Sequence, residues 1–153
     1  MSQELLKLNE TTEDTLVMIR EFTAPQNLVF EVLTKAEHIS QWQIPKNMEI
    51  KAVETDIVVG GKYKIVMHSP DKGFDFELFG EYKEIDPPNK IVFTQNVPSL
   101  EPMSTITITL SQDGDKTQMV FIQSNITSKQ MRDGGLNGWA PVFNRLSEYI
   151  TTL

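Results

Sequence analysis

The spacing of apolar and polar residues divides the 153-residue chain into segments with the pattern of a strand and segments with the pattern of a helix. The first apolar run, over residues 15–23, predicts a buried strand. Ala24-Pro25 ends this strand, because proline fixes φ and suits the first turn of a helix. Apolar residues at helical spacing then predict one short helix over about 25–34 and a second over roughly 36–41 that leads into Trp42.

Strong turn signals separate the strands that follow. Residues with strand-like patterns occupy 48–55, 62–68, 74–85, 90–96, 104–111 and 117–124. Residues 104–111 alternate cleanly, with isoleucine and leucine on one face and threonine on the other. A proline-rich connection precedes them. Short turns between consecutive strands predict an antiparallel meander of six to seven strands, because parallel neighbours need long crossovers.

The C-terminal segment changes to a helical period. Apolar residues recur there at steps of three and four, at Trp139, Val142, Phe143, Leu146, Tyr149, Ile150 and Leu153. Gly134, Gly135, Gly138 and Pro141 weaken the start of this helix. Two forms stay open: a kink near Pro141, or a short helix over 128–133 followed by the main one. Either form must bury its stripe against the sheet.

These elements predict a single α+β domain over residues 14–153, preceded by a flexible arm over 1–13. The formal charge of -7 disfavours nucleic acid as a partner, since phosphate binding needs clustered basic residues. The chain has no cysteine, no signal-peptide pattern and no apolar run of the roughly 20 residues that a membrane span requires. We therefore expect a cytoplasmic protein without a membrane partner.

Five motifs occur in a fixed order along most of the chain. They are Arg-x-Phe-x-Ala-Pro at 20–25, Trp42, Gly-Gly-x-Tyr at 60–63, Gly-x-Tyr-x-Glu-Ile-x-Pro-Pro-x-x-Ile-Val-Phe-Thr at 80–94, and Gly138-Trp139. In this order they resemble the activator of heat-shock-protein-90 ATPase homologue family, within the START-like, polyketide-cyclase-like (SRPBCC) superfamily. The resemblance implies a helix-grip (START-like, Bet v-like) fold, in which a curved sheet wraps the C-terminal helix and leaves a hydrophobic cavity.

Two features depart from the family pattern. Gln41 and Gln43 flank Trp42, where relatives often carry a doublet of aromatics, and Gln95 stands where many relatives carry tryptophan. If the strand phase holds, Ile91, Phe93 and Gln95 point the same way, so that an amide replaces an aromatic wall. The resemblance then implies a more polar cavity than that of a typical member.

Large side chains that should converge inward are the candidates for a ligand site. We expect the lining to include Trp42, Met67, Phe76, Gln95, Trp139 and Phe143, with Gln95 as the polar anchor. An apolar pocket with a few polar groups is the usual form of a small-molecule site. The alternative is that these side chains only pack the core.

A catalytic interpretation depends on His68, which ends a strand beside a turn that is followed by Asp75. Such a pair at the cavity mouth could act as a general base, although a structural histidine is favoured. His38 lies among polar residues and is expected to be solvated. No metal-ligand cluster or cofactor motif is present, so we expect neither a metal nor a cofactor.

Three functions follow from these observations. The leading one is binding of a small hydrophobic molecule, such as a lipid, polyketide or flavonoid-like compound. The alternative is a protein-interaction module of co-chaperone type, with a chaperone as partner. The third is a cofactor-independent cyclase or hydrolase that uses His68. A binding role is favoured over an enzymatic one.

Overall fold

The computed structural model describes residues 14–45, 47–97 and 100–153, so the arm expected over 1–13 lies outside the described residues. The elements in chain order are β1 (Thr15–Phe22), α1 (Gln26–Thr34), α2 (Ala36–Trp42), β2 (Glu49–Thr55), β3 (Lys62–Ser69), β4 (Phe74–Asp86), β5 (Lys90–Val97), β6 (Leu100–Asp113), β7 (Lys116–Ser124) and α3 (Lys129–Ile150). Most bounds agree with the sequence predictions to within about one residue. The exception is β6, which begins at Leu100, where the sequence predicts a connection.

The strands form one antiparallel sheet in the order β1-β7-β6-β5-β4-β3-β2. Strands β2 to β7 follow one another directly, which confirms the predicted meander. The first two strands lie at opposite edges of the sheet, and α1 and α2 connect them. Register shifts in the β2–β3 and β4–β5 pairs mark irregularities of the kind that bend a sheet.

Alternation along the strands turns one face of the sheet toward α3. In β3, Tyr63, Ile65 and Met67 are buried, while the residues between them are exposed or half-buried. Phe121 of β7 is fully buried and contacts Phe143 of α3, with 5.2 Å between the ring centroids. The sheet therefore grips the C-terminal helix, which confirms the predicted helix-grip fold.

Helix α3 runs without interruption from Lys129 to Ile150, with Pro141 inside it. The Oγ atom of Ser128 accepts a hydrogen bond from the backbone N–H of Met131 at 3.0 Å and caps the helix. The prediction of a separate short helix over 128–133 is therefore wrong. Packing of the apolar stripe and the serine cap outweigh the low helix propensity of the glycines.

Candidate functional site

A cavity of about 640 Å³ lies between the sheet and the N-terminal half of α3. Side chains from β3 to β7 form its floor, and the helix and the segments before β2 and α3 complete its walls. The lining residues are Gln43, Pro45, Met67, Phe76, Leu78, Gln95, Val97, Ser104, Gln123, Thr127, Ser128, Gln130, Met131, Gly134, Gly135, Gly138, Trp139 and Val142. None of these described lining residues carries a charged side chain.

The cavity exists because the first half of α3 presents glycines to it. A Cβ atom added at Gly134 or Gly138 meets no atom within 4 Å, so space is open beside both residues. At Gly135 the helix comes closer to the sheet, and an added Cβ would lie 2.9 Å from the Cδ2 atom of Leu16. Solid packing begins at Phe143, which is buried.

Apolar side chains form much of the wall. Met67 and Leu78 are buried on neighbouring strands, and Phe76 is half-buried beside them. Trp139 stacks on Phe143 with 5.3 Å between the ring centroids, and its ring centroid lies 4.8 Å from that of Phe121. These two rings hold the indole of Trp139 against the core, and the Trp139 side chain also lines the cavity.

Three polar side chains lie in a row on the part of the sheet that forms the floor of the cavity. Gln95, Ser104 and Gln123 lie on the adjacent strands β5, β6 and β7, and all three are buried. The Nε2 atom of Gln123 donates to the Oγ atom of Ser104 at 3.2 Å. The Oε1 atoms of Gln95 and Gln123 are buried without a hydrogen-bond partner among the described residues. Leaving such an acceptor unpaired typically costs about 1–3 kcal/mol.

The structure brings together four of the six residues that the sequence suggested as ligand-binding, namely Met67, Phe76, Gln95 and Trp139. Trp42 and Phe143 are not among the described lining residues, which corrects the expectation that they face the cavity. Trp42 is 2% exposed, and its Nε1 atom donates to the carbonyl oxygen of Val32 at 2.8 Å. This bond satisfies a carbonyl in the last turn of α1, which has no partner within the helix.

The sequence interpretation missed Ser104 and Gln123, although a signal for both was present. Ser104 continues the inward face of β6 defined by Ile106 and Ile108, and Gln123 continues that of β7 after Phe121. A polar residue in phase with buried apolar residues is the pattern that marks both positions.

His68 does form the expected pair with Asp75, but away from the cavity. Its Nδ1 atom lies 2.6 Å from the Oδ1 atom of Asp75, and the Nζ atom of Lys51 donates to Oδ2 at 3.0 Å. Successive side chains of a strand point to opposite faces, so His68 points away from the face that carries Met67. The expectation that this pair lies at the cavity mouth is therefore corrected.

The hydrogen bonds from His68 and then Lys51 lower the pKa of Asp75 below its ordinary value. A carboxyl with a lowered folded-state pKa stabilises the fold above its unfolded pKa, and this contribution is lost as the pH falls through the folded value. We expect the His68→Ala variant to raise the pKa of Asp75, measured by NMR titration of the carboxyl carbon. A pKa that is unchanged in the variant would show that the hydrogen bond does not form in solution.

His38 is half-buried, which corrects the expectation of a solvated residue. Its Nδ1 atom lies 2.6 Å from the hydroxyl oxygen of Tyr149, and this contact joins α2 to the C-terminal part of α3. The residue therefore has a structural role.

Two buried tyrosines lie near the sheet centre but outside the cavity lining. Burial, with a smaller effect from Tyr82, raises the pKa of Tyr63, whose hydroxyl donates to the carbonyl oxygen of Thr94 at 2.8 Å. Burial also raises the pKa of Tyr82 to about 12. Both phenols are consequently neutral near pH 7, and that of Tyr63 has a structural role through its hydrogen bond to Thr94.

Within the described ranges, no group of three or more histidine, aspartate or glutamate side chains is arranged to hold a metal ion. No helix in that part of the chain is long and apolar enough to cross a membrane.

A seven-stranded sheet around a C-terminal helix, with a cavity under the helix, defines the helix-grip class of domain. The model of the family described as activator of Hsp90 ATPase homolog 1-like protein matches residues 23–151, and the chain belongs to this family. No match is found among curated proteins.

Solved structures of bacterial proteins are similar over nearly the whole chain. One from Nitrosomonas europaea is 25% identical with a TM-score of 0.80, covering 92% of this chain and 96% of that chain. One from Chromobacterium violaceum is 23% identical with a TM-score of 0.81, covering 90% and 96%. One from Rhodobacter sphaeroides is 16% identical with a TM-score of 0.84, covering 94% and 95%. These likenesses support the fold.

Proposed function

We propose that this protein binds a small, largely apolar molecule in the cavity between the sheet and α3. The observation that carries this proposal is the glycine-lined gap beneath the helix. A volume of about 640 Å³ falls within the roughly 300–1,000 Å³ that is common for small-molecule sites. Apolar walls with a few buried polar groups are the usual composition of such sites.

The other candidate functions find less support in the geometry. The cyclase or hydrolase alternative loses its general base, because His68 lies on the opposite face of the sheet from Met67. The co-chaperone alternative requires an outer apolar surface, for which partly exposed side chains such as Phe74 and Phe79 are candidates. A cytoplasmic location stays an expectation from the sequence.

The two tryptophans provide a matched pair of reporters. In the Trp42→Phe variant, only Trp139 in the cavity wall fluoresces, whereas in the Trp139→Phe variant only Trp42 in the core does. We expect a panel of fatty alcohols, fatty acids, flavonoids and aromatic polyketides to contain compounds that change Trp139 emission saturably, with little change from Trp42. If no compound binds with a Kd below about 1 mM, corresponding to roughly 4 kcal/mol, the proposal is wrong.

Filling the cavity from the helix should abolish this binding. Gly138 lines the cavity and has open space beside it, so a phenylalanine side chain placed there has room to occupy part of the cavity. We expect Gly138→Phe to weaken binding of any panel compound at least about tenfold, measured by the same titration.

The matched control is Asn144→Phe, which adds the same ring to an exposed position of α3 outside the described lining. This variant should bind within about twofold of the wild-type protein. Equal affinity of both variants would place the bound molecule elsewhere.

A further inference from the structure

The described lining of the cavity is uncharged, and two amides and a hydroxyl lie side by side on its floor. Gln95 and Ser104 are direct cross-strand partners in the β5–β6 register. Gln123 lies on the next strand, opposite Ile106, and its Nε2 atom donates to Ser104. The three side chains therefore form one continuous polar row across the floor.

The buried atoms of this row that have no hydrogen-bond partner among the described residues are both acceptors. Gln95 is 9% exposed and Gln123 is 6% exposed, and the Oε1 atom of each is buried without a partner among the described residues. The Nε2 atom of Gln123 donates one of its two hydrogens to the Oγ atom of Ser104. Gln95 and Gln123 both line the cavity, and a ligand hydroxyl or N–H group, which donates a hydrogen bond, would satisfy their unpaired oxygens.

The same row disfavours an anionic ligand. A carboxylate is acceptor-only, so it would leave both buried amide oxygens without a donor. No described lining residue supplies a cation to pair with it, and burying an unpaired charge is strongly unfavourable.

Resting on the proposed function, we infer that the cavity selects an uncharged ligand whose inner end carries a hydroxyl or N–H donor. The donor group binds the Oε1 atoms of Gln95 and Gln123, and the apolar remainder packs against Met67, Phe76 and Trp139. Alcohols and phenols fit this description, whereas carboxylates and ethers with the same skeleton do not.

Three probes that share one ring system test this selectivity: 1-naphthol, 1-methoxynaphthalene and 1-naphthoate. Affinities are measured at neutral pH by following ¹⁵N–¹H shifts of the full chain, including the side-chain amides of Gln95 and Gln123. We expect 1-naphthol to bind about tenfold more tightly than either of the other two, a difference of about 1.4 kcal/mol. Its addition should shift both side-chain amide signals.

The Gln95→Met variant removes one acceptor and keeps an unbranched side chain of similar length. We expect its preference for 1-naphthol over 1-methoxynaphthalene to fall severalfold, while the affinity for 1-methoxynaphthalene stays within about twofold. A purely structural role of Gln95 would change both affinities together. Gln123→Met is the second variant, with the same expected loss of preference.

The outcomes separate this inference from the proposed function. Equal binding of all three probes, or preferred binding of the ether or the carboxylate, overturns the donor inference and leaves the cavity as a binding site. Binding of none of the probes overturns the donor inference, and the proposed function falls with it only if the compound panel described above also fails to bind. A preference for 1-naphthol that persists unchanged in both variants also overturns the inference, because the amides then do not provide the selectivity.

Discussion

Replacing Phe143 by alanine is expected to lower the free energy of unfolding by about 3–5 kcal/mol, the range for truncating a buried phenylalanine. The side chain is 1% exposed and packs against the rings of both Phe121 and Trp139. Its removal leaves a void in the core beside Trp139, whose side chain lines the cavity. Urea denaturation followed by circular dichroism measures the loss.

The matched control is Phe79→Ala, because Phe79 is 42% exposed on the outer face of β4. Its loss is expected to be below about 1 kcal/mol, on the scale of strand propensity. If Phe143→Ala also costs less than about 1 kcal/mol, Phe143 faces open space rather than the core, and the placement of the cavity described above is wrong.

The Gly80→Ala variant is expected to lose roughly 3 kcal/mol of stability or to fail to fold, since overpacking a tight site forces the backbone to move. A Cβ atom at Gly80 would collide with the carbonyl oxygen of Thr94 and lie 2.7 Å from the Cε1 atom of Tyr63. That carbonyl also accepts the hydroxyl of Tyr63. Thermal and urea denaturation measure the loss.

The same substitution at Gly134 provides the control. Gly134 lies in α3 with no atom within 4 Å of an added Cβ, so Gly134→Ala should raise stability by about 0.5–1 kcal/mol through helix propensity. Equal effects at the two positions would mean that close packing between β4 and β5 at Gly80 does not occur in solution.

The sheet could be predicted from the sequence because alternation is a local property. The residues around Ile65 in β3 and Ile108 in β6 alternate as expected, and short turns leave little choice of topology. The beginning of β6 was not predicted because Pro102 suggested a connection. The pairing of Val97 with Leu100 extends the strand, and pairing between strands cannot be deduced from local propensity.

The continuity of α3 could not be predicted from local propensity. Three glycines and Pro141 argue against a single helix, while the compensating terms are a cap from Ser128 and burial of residues such as Leu146. The cap is a local interaction, whereas the burial depends on tertiary structure, and together they outweigh an unfavourable propensity of up to about 1 kcal/mol per glycine.

The candidate site was only partly predictable for a similar reason. Gln95 could be placed inward from the phase of β5, because alternation determines the face of the sheet. Whether an inward aromatic side chain lines a gap or fills the core depends on distances between elements. Trp42 shows this, since its partner is the carbonyl oxygen of Val32 at the end of α1.

The most direct test of the central claim is measurement of intermolecular NOEs between 1-naphthol and the methyl groups of the full chain. A ligand held between the sheet and α3 should give NOEs to Met67, Met131 and Val142, which line the cavity. NOEs confined to exposed residues such as Val58, Val59 and Met103 would contradict the account, because they place the probe on the outer surface.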